Sequence, residues 1–155
     1  LQEVKEHGSS PEGKPYLTHH SFIISNSHTK GYVAGMLASF TPAGIDIEQY
    51  AQRVHKVSDR YIRSDEQTEP YQDDMTWGLL LHWSAKETMY KVLDMAEVDF
   101  LQHLKVCPFK LSSSGTFTGE SYRKADKARF LIHYLIHPEF VCTYCLNTAC
   151  STNNG

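Results

Sequence analysis

His82–Lys91, HWSAKETMYK, read together with Gly44–Glu48, GIDIE, decides how the rest of the chain is understood. At helical spacing, Glu87 and Lys91 fall one turn apart on one face, while Leu81, Ala85, Met89 and Val92 form an apolar stripe on the other. Extended, GIDIE points Asp46 and Glu48 to one side, roughly 7 Å apart along the chain, with Ile45 and Ile47 opposite. If the two segments meet, three carboxylates and a lysine converge. That composition suits a hard cation holding phosphates, because Mg²⁺ takes oxygen ligands, keeps several waters and is usually bound by one or two carboxylates plus phosphate oxygens. Singly, each motif has an ordinary explanation. Glu87 and Lys91 match a surface ion pair worth about 0.2–0.5 kcal/mol, and Asp46 and Glu48 match the solvated side of a half-buried strand. Only their conjunction points to a cation and a phosphate.

The chain has 155 residues, 41% of them hydrophobic, with nine tyrosines and seven phenylalanines, enough to fill the core of one domain. A net charge of −3 gives no overall basic field, so nucleic acid is not expected as a partner. Basic side chains cluster locally, around Arg53–Arg63 and Arg123–Arg129. No apolar run approaches the roughly 18 residues that span a bilayer, and no basic-then-apolar segment opens the chain. A cytoplasmic protein without membrane contact is the expectation. The first residue is Leu1 rather than methionine, and Leu1–His7 reads like the end of a helix, so the chain is expected to be cut from a longer one. Cys142 and Cys145 form a C-x-x-C, with Cys150 beyond and Cys107 before. In the strand-like run FVCTYCL an odd spacing sends the two sulfurs to opposite faces, and no second such pair exists, which argues for free thiols over a zinc site. Free thiols fit a reducing compartment.

Along the chain, SSPEGKP at Ser9–Pro15 is turn chemistry and presents Lys14 on a loop. Ser21–Ile24 and Gly31–Phe40 are predicted as strands around a polar turn, ISNSHTKG, whose hydroxyls, amides, His28 and Lys30 suit a phosphate. Tyr50, Val54, Val57 and Tyr61 recur at i, i+4, i+7, i+11 and predict an amphipathic helix of about three turns. Its polar side carries Arg53, Lys56, Asp59 and Arg60, either a solvated face or one that greets an acidic partner. A long helix is predicted from Met75 to Met95. Short strands are predicted over Val98–Phe109, Thr116–Thr118, Arg129–Ile136 and Phe140–Leu146. His133 and His137 are read as a cross-strand packing residue and a turn residue, not metal ligands, and STNNG at the end as a disordered tail.

GKPY at Gly13–Tyr16 with ISNS at Ile24–Ser27, GIDIE at Gly44–Glu48 and WSAKETMYK at Trp83–Lys91 stand in an order and at separations that resemble the 4'-phosphopantetheinyl transferases, in particular the surfactin-synthetase-activating class. The resemblance runs from Gly13 nearly to the end. It implies an α+β fold, an antiparallel sheet packed with a long helix, in pseudo-twofold halves of which most of the first is missing. On that reading residues 1–42 end the first half, 43–147 form the second, and 148–155 are the tail. Where the family has ISHS, Asn26 stands in place of the histidine and His28 follows two residues later; Asn26 donates a hydrogen bond but carries no charge. The segment Arg60-Tyr61-Ile62 followed by Asp65-Glu66 resembles a family segment ending in a glutamate near the active site, which makes Glu66 a further catalytic candidate.

The activity implied is transfer of the 4'-phosphopantetheine of coenzyme A to a serine of an apo acyl or peptidyl carrier protein, with release of 3',5'-adenosine diphosphate. Asp46, Glu48 and Glu87 are implied as Mg²⁺ ligands, Lys91 and Lys86 as pyrophosphate holders, and Glu87 also as the base, directly or through a metal-bound water. Lys14, Ser25, Asn26 and His28 are implied coenzyme contacts. A full-length protein is expected to be monomeric, whereas this short chain is open to dimerisation. Two other readings stand beside this one: a non-catalytic relative that binds coenzyme A or a carrier protein, and, last, an unrelated carboxylate-dependent phosphohydrolase.

Overall fold

The computed structural model describes residues 7–9, 15–17, 23–38, 42–94, 96–123 and 127–146, and Lys14, Cys150 and the tail lie outside them. Two antiparallel sheets and one long helix make up the fold. The smaller sheet has the order β1 (His7–Ser9), β2 (Pro15–Leu17), β3 (Ile23–Thr29), β4 (Tyr32–Ala38). β5 (Ala43–Gln49) is the edge of the larger sheet, whose order is β5, β9 (Phe140–Leu146), β8 (Ala128–His137), β7 (Ser114–Ser121), β6 (Leu104–Val106). Between β5 and β6 lie α1 (Val54–Val57), α2 (Met75–Leu93) and α3 (Phe100–His103).

The polar stretch predicted as a turn is strand. β3 continues through Asn26, Ser27 and His28, which pair with Gly35, Ala34 and Val33, and the hairpin closes over Lys30-Gly31, with Gly31 at φ 83°. The serines do not break the strand because alternation sends Ser25 and Ser27 toward β5. There the Ser25 hydroxyl accepts from the Ile45 amide at 3.0 Å and the Ser27 hydroxyl from the Ile47 amide at 3.1 Å. Two amides on the edge strand are satisfied this way.

α2 starts at Asp74, whose carboxylate accepts from the Thr76 amide, and stops at Asp94 in the left-handed region. Its predicted stripe is the packing face: Leu81, Ala85, Met89 and Val92 are all buried, against the alternating inner residues Phe130, Ile132, Tyr134 and Ile136 of β8 and Val141 and Cys145 of β9. Hydroxyls seat the helix as well. Ser84 and Thr88 lie 2.9 and 2.7 Å from the Thr143 hydroxyl of β9. Gly44 allows the closest approach, since a Cβ there would stand 2.5 Å from the Thr88 carbonyl oxygen.

The helix predicted over Tyr50–Tyr61 is shorter than its periodicity suggests. α1 has one turn with no side-chain cap, and a 3-10 turn, Ser58–Arg60, follows. The two end tyrosines bond elsewhere, Tyr50 donating to Asp74 at 2.5 Å and Tyr61 to the Leu79 carbonyl at 3.0 Å. The strand predicted over Val98–Phe109 is only β6, because Asp99 caps α3 by accepting from the amides of Leu101 and Gln102. His133 stacks on its cross-strand neighbour Tyr144, and His137 stacks on Phe140 at the β8–β9 turn. Cys107, Cys142 and Cys145 are free thiols, with Cys142 and Cys145 on opposite faces of β9. Among the described residues, no helix is long and apolar enough to cross a membrane.

Candidate active site

β5 and α2 meet as their sequences require. Asp46 pairs with Thr143 and Glu48 with Val141 on the face of β5 that looks toward α2, while Glu87 and Lys91 lie one turn apart on the side of α2 facing the cleft. Together with Asn26, Ser27 and His28 of β3, these four residues line a cleft of about 690 Å³. Arg53, Arg60, Val54, Val57 and Trp83 also line it. Six of the residues predicted for the site, Asn26, His28, Asp46, Glu48, Glu87 and Lys91, therefore come together.

Lys91 reaches across from α2. Its ammonium donates to the Ile45 carbonyl at 2.8 Å and to the Asn26 carbonyl at 3.3 Å, and lies 3.4 Å from Asp46 Oδ1. Ser27 donates to the same Asp46 oxygen at 3.2 Å. The other oxygen, Oδ2, is buried with no hydrogen-bond partner. The Trp83 indole donates to Glu48 Oε1 at 3.1 Å.

Crowding of the acids leaves a clear electrostatic mark. Glu48 is pushed up to about 8, first by burial, then by the Asp46 charge and a hydrogen bond shared with Asp46, then by Glu87, against the opposing pull of the Trp83 indole. Glu87 is pushed up to about 7 by burial and by Asp46, with Lys91 working the other way. Three crowded carboxylates, two of them raised and the third with an unpartnered buried oxygen, fit a divalent cation. Among the described residues no three His, Cys, Asp or Glu side chains are drawn close enough to enclose an ion unaided.

Three predicted site residues lie elsewhere. Lys86 neighbours Glu87 in sequence but is turned about 100° round the helix, into the interior. Its ammonium is wholly buried, 2.6 Å from Glu66 Oε1 and bonded to the carbonyls of Tyr61 and Phe100. Glu66 also accepts from the amides of Arg63 and Val106, both at 2.8 Å. This pair ties the loop after α1 to α2 and β6, and neither side chain is among those that line the cleft. Ser25, expected to contact the coenzyme, is buried and bonded to β5. Ser27 and Trp83 were not among the predicted site residues, and Arg53 and Arg60, read as a solvated face or one that greets an acidic partner, also line the cleft. Trp83 had a signal available, being one helical turn before Glu87. Ser27 had another, being two residues along the strand from Ser25.

No curated protein matches the chain in sequence. A model of the 4'-phosphopantetheinyl transferase superfamily matches residues 42–145, which begin just before β5, end within β9 and contain every carboxylate of the cleft. With more than half of its length matched and the matched part carrying the cleft, the chain belongs to the 4'-phosphopantetheinyl transferase superfamily.

Proposed function

We propose that the protein transfers the 4'-phosphopantetheine of coenzyme A to a serine of an apo acyl or peptidyl carrier protein. The observation that carries this reading is the meeting of Asp46, Glu48, Glu87 and Lys91 in one cleft. The serine oxygen bonds to the β-phosphorus, the bridging P–O bond of the pyrophosphate breaks, and 3',5'-adenosine diphosphate departs. Such a substitution needs charge neutralisation, alignment and a base.

Asp46, Glu48 and Glu87 would hold Mg²⁺, which when bound supplies charge neutralisation at the pyrophosphate. Lys91, already fixed over the cleft by two carbonyls, donates to the pyrophosphate oxygens. Glu87 is read as the base that takes the serine proton; in the cation-free cleft burial and the Asp46 charge raise it to about 7. Asn26 and His28 meet the coenzyme from β3, and Arg53 and Arg60, which also line the cleft, present positive charge to an acidic carrier surface. The smaller sheet, packed over β5 and carrying the motif that precedes GIDIE, is read as the edge of a preceding half, as in the two-half class.

Chromatographic detection of 3',5'-adenosine diphosphate tests the reaction type. Release that requires coenzyme A, Mg²⁺ and an apo carrier together supports it. Coenzyme A binding without release would favour a binding-only relative, the reading to which Asn26 in place of histidine points.

A further inference from the structure

One oxygen of each acid of β5 is held by donors from other elements, Asp46 Oδ1 by Ser27 of β3 with the Lys91 ammonium 3.4 Å away, and Glu48 Oε1 by Trp83 of α2. The Ser27 hydroxyl accepts from the Ile47 amide at 3.1 Å and donates its single proton to Asp46 Oδ1 at 3.2 Å. The Trp83 indole is a donor only, and it meets Glu48 Oε1 at 3.1 Å. Its ring is held between Tyr61 and Phe100, with centroids 5.2 and 5.3 Å away, so the N–H is aimed before any ligand arrives. On Asp46 the second oxygen is then left buried and unpartnered.

We propose that Ser27 and Trp83 are positioning residues of the cation site, each occupying one oxygen of a β5 carboxylate and leaving the second oxygen to the ion. This rests on the cation reading of the cleft made above. Donors that orient ligating carboxylates typically matter 10–100-fold in metal affinity. Without them the two carboxylates are less constrained, and the ion must itself fix their orientation.

The test is Mn²⁺ binding to the whole metal-free chain, read from the electron paramagnetic resonance of free Mn²⁺, with no coenzyme or carrier present. Trp83→Phe keeps the ring and removes the N–H. It is expected to weaken binding about tenfold or more, and to cost nothing further in a Glu48→Gln background, because its effect passes through Glu48. Ser27→Ala is expected to behave the same way against Asp46→Asn, with Ser27→Thr restoring affinity. Should Trp83→Phe fail to fold, the Ser27 series decides. Normal Mn²⁺ binding by the wild type with unchanged affinity in Trp83→Phe and Ser27→Ala overturns the positioning role alone. So does an equal loss in the Glu48→Gln and Asp46→Asn backgrounds, which marks a packing effect. A wild-type chain that binds no Mn²⁺ overturns the cation reading and the positioning role with it.

Discussion

Glu48 and Glu87 make the cation-free protein pH-sensitive in a direction that can be worked out. Their folded pKa values, about 8 and about 7, lie above the roughly 4.3 of an unfolded glutamate. The native state therefore binds more protons between those values, and stability falls as pH rises. The contribution is fully present below pH ~4.3 and is lost as pH passes through 7 to 8. Thermal unfolding of metal-free protein is predicted to show a midpoint that declines from pH 5 to pH 8.5, with Mg²⁺ restoring it more at pH 8 than at pH 5; a flat profile would contradict the crowding. Glu87→Gln removes one charge from the cluster while keeping its shape. It is predicted to raise the metal-free midpoint at pH 8 and to lower carrier modification by about 10²–10⁴-fold, the usual worth of a general base. These acids were legible in the sequence because strand and helix periodicity state which residues share a face. Lys86 and Glu66 were not, because a period gives direction and not depth: whether a lysine beside Glu87 meets solvent or a buried carboxylate depends on a loop that arrives from elsewhere.

The approach of α2 to β5 depends on Gly44 more than on any apolar contact between them. A methyl group at Gly44 meets the Thr88 carbonyl at 2.5 Å and the Val92 side chain at 2.9 Å, and helix backbone cannot step aside locally. Gly44→Ala is predicted to cost about 1–3 kcal/mol, as overpacking does, and to lower turnover beyond that by moving Glu87 and Lys91 away from Asp46 and Glu48. Gly119→Ala makes the informative contrast. Its nearest neighbour, at 2.5 Å, is the sulfur of Met89, a flexible side chain that can yield. Its cost in denaturant unfolding is predicted to be smaller and its turnover near normal; equal defects in the two variants would show that the helix–strand distance does not govern the cleft. Element identity was readable for α2, β8 and β9, whose patterns are strong. It failed where capping outranked periodicity, at Asp99, which starts a helical turn inside an apolar run, and at Arg53, where a helical pattern lacks any cap.

Across the whole molecule, the Lys86–Glu66 pair fastens the segment after α1 to α2 and to the edge strand β6, around the back of the cleft. Removing one partner of a fully buried pair strands the other's charge, so Lys86→Met is predicted to cost about 3–5 kcal/mol in denaturant unfolding. Adding Glu66→Gln should recover part of that loss. A Lys86→Met variant as stable as wild type would show that the pair does not fasten the fold. The order of the larger sheet was not readable from any local pattern, since β5 pairs with β9, the last described strand, and such pairing is fixed only when the whole sheet forms. What the sequence did carry at this scale was GIDIE followed by WSAKETMYK, both of which lie within the family match over residues 42–145. The central claim, that this cleft moves phosphopantetheine, is tested most directly by the intact mass of an apo acyl carrier protein after incubation with the protein, coenzyme A and Mg²⁺. The expected result is a gain of one phosphopantetheine unit that is lost with EDTA and with Glu87→Gln. No gain on any of several acyl and peptidyl carriers, from protein that binds coenzyme A, would contradict it.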